Sequence, residues 1–147
     1  MKFRNTTMLL VEDNPDDVIL TLRALKKNNI GNKIIVVGDG AEALDFLFCR
    51  NRYADRSPED RPQLVLLDIR LPKIDGLEVL RRLRADERTR SLPVVMLTGS
   101  EEEEKIVESY KSGANAFMRK PIDFYQFTVT VPQLGLSWLV LNKEPSV

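Results

Sequence analysis

Histidine is missing altogether from the 147 residues, and cysteine occurs once, at Cys49. The first absence rules out a histidine-based catalytic triad and a histidine-ligated zinc centre. The second rules out an internal disulfide and fits a reducing compartment. Net charge is missing too, because 22 basic side chains balance 22 acidic ones. That leaves no general electrostatic attraction to nucleic acid or to a membrane surface. No run approaches the ~20 apolar residues of a membrane span. The apolar stretch near the N-terminus is too short for a secretory signal and ends in acids. The expectation is a soluble, cytoplasmic protein that binds neither nucleic acid nor membrane. With 43% apolar residues, the chain has the make-up of an ordinary globular protein, and its length suits one domain.

Short apolar runs alternate with helical patterns. Met8–Val11 predicts a first strand; Asn14 then suits a helix N-cap and Pro15 its first position. Val18, Ile19, Leu22 and Leu25 follow at helical spacing, and Gly31 falls where that helix should end. Lys33–Val37 predicts a second strand and Ala41–Cys49 a second helix; Arg50–Gln63, charged and without periodicity, predicts an exposed loop. Leu64–Leu67 is a continuous apolar run that stops abruptly at Asp68, as suits a strand covered on both faces. Asp75-Gly76 opens a third helix with Leu77, Leu80 and Leu83 inward. Pro93–Leu97 predicts a fourth strand, and Glu101–Glu104 crowd the start of a helix that stops at Gly113. Ala114–Met118 is a fifth, weaker strand before Lys120-Pro121. Five βα repeats predict an α/β fold, a doubly wound five-stranded parallel sheet with helices on both faces.

In such sheets reactive groups gather beyond the carboxyl ends of the strands. Glu12 and Asp13 end the first strand, Asp68 the third, Thr98 the fourth and Lys120 the fifth. Three carboxylates brought together repel one another, and a hard divalent cation relieves that repulsion. Mg²⁺ is the natural choice, with Asp13 and Asp68 as direct ligands, Glu12 direct or through water, and the backbone carbonyl of Arg70 as a further candidate. Asp68 would then be a nucleophile toward phosphorus, forming an acyl phosphate. The Lys120 ammonium and the Thr98 hydroxyl would stabilise the phosphoryl oxygens.

These residues resemble a response-regulator receiver domain. The acidic pair in LLVEDN, the LLDIRLPKIDG block, VMLTGS and the RKP near the end carry the likeness, which spans Met8 to about Asn142. Separations of 30 residues from Asp68 to Thr98 and of 52 from Asp68 to Lys120 match the family's spacing. The resemblance implies a flavodoxin-like (βα)5 fold and a histidine kinase that donates phosphate to Asp68 with Mg²⁺ bound. It also implies a cis peptide before Pro121 and a switch pair of Thr98 and the aromatic Phe117. Phe replaces the commoner Tyr here, so apolar packing alone must discriminate the two switch states. Arg70 and Ser100 flank the phosphate site, where such residues influence dephosphorylation in the family. EDNPDD, the extended loop before the third strand and the FYQF…W…L tail look like the small regulators paired with phytochrome-type light-sensing kinases.

The whole chain, 1–147, reads as one receiver domain, with a core over about 7–123 and a C-terminal helix or tail over 123–147. The 26 residues after Pro121 are too few for an effector domain, so output is expected through contacts with an unidentified downstream protein. Asp123–Leu141 should hold the last helix, with Phe124, Phe127, Val131, Leu134, Trp138 and Leu141 as a stripe packed on the sheet. Val129, Leu136, Leu139 and Val140 add apolar surface elsewhere on it, which suggests a homodimer through the C-terminal segment. Phe124, Phe127, Val131, Leu134, Leu136 and Trp138 are its candidate surface. Pro132 and Gly135 interrupt the pattern, leaving a kink, two short helices, or a short helix followed by an extended segment. The β-branched Thr128–Val131 favours a strand exchanged between protomers as one form of the last. Competing functions remain: a pseudo-receiver that works without phosphorylation, an aspartyl-phosphate phosphatase, or a flavin-binding module. The phosphatase would want Asp-x-Asp where this chain has Asp68-Ile69-Arg70. The flavin module would want a Gly/Ser/Thr-rich first loop where this one is acidic. Beyond its own phosphorylation and dephosphorylation, no enzymatic activity is expected.

Overall fold

The computed structural model describes residues 7–27, 33–109 and 113–135. Five strands, β1 (Thr7–Val11), β2 (Lys33–Val37), β3 (Leu64–Asp68), β4 (Val94–Thr98) and β5 (Ala116–Arg119), form one sheet in the order β2-β1-β3-β4-β5. All neighbours are parallel, with Met8 opposite Ile34 and Leu64, Asp68 opposite Leu97, and Thr98 opposite Arg119. Five helices connect or follow the strands: α1 (Pro15–Lys27), α2 (Gly40–Leu47), α3 (Gly76–Ala85), α4 (Glu101–Ser109) and α5 (Phe124–Thr130). This is the doubly wound parallel sheet expected from the βα alternation.

The period-two geometry of strands divides the core into two layers. Leu9, Val11, Val65, Leu67 and Met96 point to one face, where Ala43, Leu44 and Leu47 of α2 and Val79, Leu80 and Leu83 of α3 cover them. Met8, Leu10, Leu64, Leu66 and Leu97 point to the other, against Leu25 of α1 and Phe127 of α5. Every residue of β3 and β4 is buried, which explains why those strands read as unbroken apolar runs.

Side-chain caps set where helices begin. Asn14 Oδ1 accepts the N–H groups of Asp16 and Asp17 at 2.9 and 3.2 Å. Asp39, Asp75 and Asp123 accept from the backbone three residues on, at 2.7, 3.0 and 2.8 Å. Such caps satisfy donors that the helix itself cannot use. Strand and helix limits differ from expectation by one or two residues, as at β5 (Ala116–Arg119) and α2, which ends at Leu47 because Cys49 turns to φ 53°. The ends of the α1 and α4 segments expected at Gly31 and Gly113 fall at or beside stretches outside the described residues.

Two regions depart further. The Arg50–Gln63 loop is pinned rather than merely solvated: the Arg56 guanidinium stacks 3.6 Å from the Phe46 ring centroid and donates to the Phe46 and Asp60 carbonyls. Tyr53 adds a 2.6 Å hydrogen bond to Glu42. The expected Asp123–Leu141 helix stops at Thr130 and gives way to a 3-10 turn over Pro132–Leu134, closed by Gly135 at φ 79°. Pro132 has no N–H for the helical ladder, so the chain tightens instead of continuing. Thr128–Thr130 lies within α5, so those residues form no exchanged strand. Phe127 and Val131 pack on the protein's own sheet, as expected of the apolar stripe, and their full burial removes them from the candidate dimer surface. Leu134 is partly buried on the same layer, whereas Tyr125 and Val129 face solvent. Leu136 and Trp138, and the Phe124 side chain, lie outside the described residues. No helix among the described residues is long and apolar enough to cross a membrane.

One glycine brings the third helix against the end of β3. A Cβ on Gly76 would sit 2.1 Å from the Asp68 carbonyl oxygen, a backbone atom that cannot yield without moving β3. Gly76→Ala is therefore expected to destabilise the fold by about 2–3 kcal/mol in urea unfolding. A loss under about 0.5 kcal/mol would show that α3 is free to shift away from Asp68.

Candidate functional site

The strand order reverses between β1 and β3, and parallel pairing sets the C-terminal ends of β1, β3, β4 and β5 along one edge. The crevice that such a reversal opens is where this class of sheet holds its ligands. Glu12 and Asp13 follow β1, Asp68 closes β3, Thr98 closes β4 and Lys120 follows β5. Carboxylate oxygens of Glu12, Asp13 and Asp68 lie within 4.8 Å of one another. Glu12 and Asp68 are almost sealed from solvent, with side chains 1% and 4% exposed, while Asp13 is open to it.

Lys120 is the shared counter-ion. Its Nζ donates to Asp68 Oδ2 at 2.8 Å, to Glu12 Oε1 at 3.1 Å and to Asp17 Oδ2 at 3.1 Å. The other Asp68 oxygen accepts the Arg70 N–H at 3.0 Å, which places the Arg70 backbone at the rim of the cluster. Burial pushes the Glu12 carboxyl up to about 7, and the hydrogen bond and charge of Asp68 push the same way. Burial alone would lower the Lys120 ammonium, but contact with Asp68, then Glu12 and Asp17, outweighs it and holds the group above its ordinary value. The arrangement thus contains more carboxylates than one ammonium neutralises, all oxygen donors on one side of a crevice. That donor set suits a hard divalent cation.

Thr98 is fully buried and its hydroxyl donates to the Met118 carbonyl at 3.3 Å and to Glu104 Oε2 at 3.4 Å. Phe117 is half-buried against the α2–α3 layer. The Lys120–Pro121 peptide is cis. Gln126 of α5 holds this turn by accepting from Arg119 N–H at 3.0 Å and donating to the Arg119 and Pro121 carbonyls at 3.1 and 3.3 Å.

Three acids at the site escaped the sequence reading. Asp17 reaches Lys120 from the first turn of α1. Glu103 is buried and accepts the Gly99 N–H at 2.6 Å as well as the Arg70 guanidinium. Glu104 pairs with Arg119 Nε at 2.7 Å. A signal for Glu103 was present in Ser100-x-x-Glu103, the spacing of a helix-capping box. A cavity of about 440 Å³ adjoins the cluster, and Asp13, Arg70, Leu71, Leu77, Glu103 and Ile106 are among the residues that line it.

Known proteins resemble the chain over most of its length. The family model of the response regulator receiver domain matches residues 8–131. The chain is 36% identical over 132 residues to the response regulator Rcp1 of Synechocystis sp., covering 90% of this chain and 88% of that one. It is 37% identical to the probable methanogenesis regulatory protein FilR2 of Methanothrix harundinacea, covering 94% and 86%. Among solved structures, the bacteriophytochrome response regulator AtBRR superposes with a TM-score of 0.86 at 48% identity, over 92% of this chain and 96% of that one. The Mn²⁺-bound form of Rcp1 superposes with a TM-score of 0.72 at 33% identity, over 96% and 99%.

The raised Glu12 pKa has a consequence for stability. Because the folded state holds this proton more tightly than the unfolded chain does, the group costs nothing below pH 4.5. Its penalty grows between pH 4.5 and 7 and is complete above 7. In chelator, the unfolding free energy of Glu12→Gln relative to the parent protein should therefore rise by about 1–3 kcal/mol between pH 4.5 and 8. A difference that stays flat across that window would mean that Glu12 titrates as an ordinary surface acid.

Proposed function

The chain belongs to the response-regulator receiver family, and we propose that Asp68 is its phosphoacceptor in a two-component phosphorelay. The observation that carries the assignment is the 2.8 Å contact between Asp68 Oδ2 and Lys120 Nζ, inside a cluster shared with Glu12 and Asp13. The donor is a histidine kinase carrying a phosphoramidate. An Asp68 oxygen attacks phosphorus, the P–N bond breaks, an acyl phosphate forms, and the departing imidazole nitrogen takes a proton from solvent. Lys120 supplies a positive charge, and the Arg70 N–H a donor, beside the oxygens that gain charge in transfer.

Glu12, Asp13 and Asp68, with the Arg70 carbonyl, would hold Mg²⁺, which when bound offsets the charge of the incoming phosphoryl group. The excess of carboxylates over ammonium supports this, as does the similarity to Rcp1, which has a Mn²⁺-bound form. Thr98 and Phe117 form the switch: the hydroxyl leaves Met118 for the phosphoryl group, and the half-buried ring packs into the space behind it. Chemistry is confined to the domain's own phosphorylation and dephosphorylation.

The partner kinase is of the phytochrome type, a reading supported by 48% identity to AtBRR and by likeness to Rcp1. The output of this receiver domain is a contact with an unidentified protein. Dimerisation through the C-terminal segment remains part of the proposal, but its surface excludes Phe127 and Val131, which the sheet already covers. Exposed Tyr125 and Val129 on α5 are better placed.

Labelling with radioactive acetyl phosphate and Mg²⁺ tests the assignment. The parent protein should take up label, chelation of the cation should suppress it, and Asp68→Asn should abolish it. Undiminished labelling of folded Asp68→Asn would remove Asp68 from the reaction.

A further inference from the structure

Asp68, Arg70, Glu103 and Gly99 form one continuous chain of contacts. Asp68 Oδ1 accepts the Arg70 N–H at 3.0 Å; the guanidinium of the same arginine binds Glu103, and Glu103 Oε1 accepts the Gly99 N–H at 2.6 Å. Gly99 is the first residue beyond β4, whose Leu97 lies opposite Asp68, so its N–H stands at the same sheet edge as the nucleophile. The cavity beside Asp13 is bounded by both Arg70 and Glu103. A carboxylate gripping a backbone N–H and a guanidinium makes the same contacts that a phosphoryl oxygen would seek. The next residue repeats the pattern, since Glu104 lies 3.4 Å from the Thr98 hydroxyl and is paired with Arg119.

We propose that Glu103 is a positioning residue that occupies, in the unphosphorylated protein, the Gly99 N–H and Arg70 guanidinium that the phosphoryl group on Asp68 takes over. This inference rests on the reading of Asp68 as phosphoacceptor. A phosphoryl group on Asp68 brings up to two negative charges against a buried carboxylate held by these two donors. Glu103 is expelled, and because it sits in the first turn of α4, that turn loosens with it. Phosphorylation is thereby coupled to α4 through a hydrogen-bond exchange. The capping arrangement, in which the Glu103 N–H donates to Ser100 Oγ at 3.2 Å, gives the alternative in which Glu103 only starts the helix.

Glu103→Gln separates the two, because glutamine keeps the acceptor but loses the charge. Mg²⁺ with beryllofluoride, a stable stand-in for the phosphoryl group, is the probe. If Glu103 competes for the donors, Glu103→Gln binds beryllofluoride about 5- to 15-fold more tightly by calorimetry, since a neutral acceptor holds them less strongly. In the parent protein, amide exchange over Glu101–Glu104 should accelerate severalfold when the probe binds. Equal or weaker binding by folded Glu103→Gln, or exchange unmoved in the parent protein, reduces Glu103 to a helix cap and overturns the proposal. Should the variant fail to fold, the exchange measurement on the parent protein decides alone. If the parent protein does not bind the probe, the assignment of Asp68 fails, and this inference with it; binding without the predicted shifts sinks this inference only.

Discussion

One ammonium among too many carboxylates organises this molecule. Lys120, 17% exposed, holds Asp68, Glu12 and Asp17 within 3.1 Å, and Asp13 stands beside them. Taking such charges out of water is costly unless each is paired and hydrogen-bonded. Here a single cation is divided among three acids, so the cluster is held together yet under-neutralised. Burial first, and then the neighbouring Asp68, push the Glu12 carboxyl up to about 7 despite the contact with Lys120. A site in this condition favours whatever brings positive charge and resists a phosphoryl group until that charge is present. The proposed cation and the proposed phosphoryl transfer would both follow from one electrostatic imbalance.

Backbone geometry keeps the imbalance in place. The five parallel strands bring four chain segments to one edge, and short devices fix the loops that follow them. Asn14 caps α1 beside Glu12 and Asp13, whereas Gly76 lets α3 touch the end of β3. Gln126 clasps the Arg119–Pro121 turn that delivers Lys120. Each of these contacts fixes the backbone beside a charged member of the cluster.

Most of the fold was legible because its strands announce themselves twice, as unbroken apolar runs and by the polar residue at which each run stops. Leu64–Leu67 before Asp68 and Val94–Leu97 before Thr98 are the clearest cases. The tail was less legible. Its apolar spacing ran on to Leu141, while Pro132 left a kink, two short helices or an extended end open. The chain takes a short helix and a 3-10 turn. Phe127 and Val131, counted both in the sheet-packed stripe and in the interface, belong to the stripe. Periodicity shows that a residue is apolar and on a face, not which surface covers it. At the site, the strand-end residues were found because termination of a run marks them. Asp17, Glu103 and Glu104 were not, because acids in the first turn of a helix usually do no more than complement its dipole. Only the distances to Lys120, Gly99 and Arg119 distinguish them.

The dependence of the whole site on Lys120 can be measured directly. With the protein folded and Mg²⁺ saturating, the rate of phosphoryl uptake from acetyl phosphate should fall by about 100-fold or more in Lys120→Gln, the scale seen when one charge-stabilising donor is removed. A folded Lys120→Gln protein that takes up phosphate at near the parent rate would contradict the central role given to this ammonium.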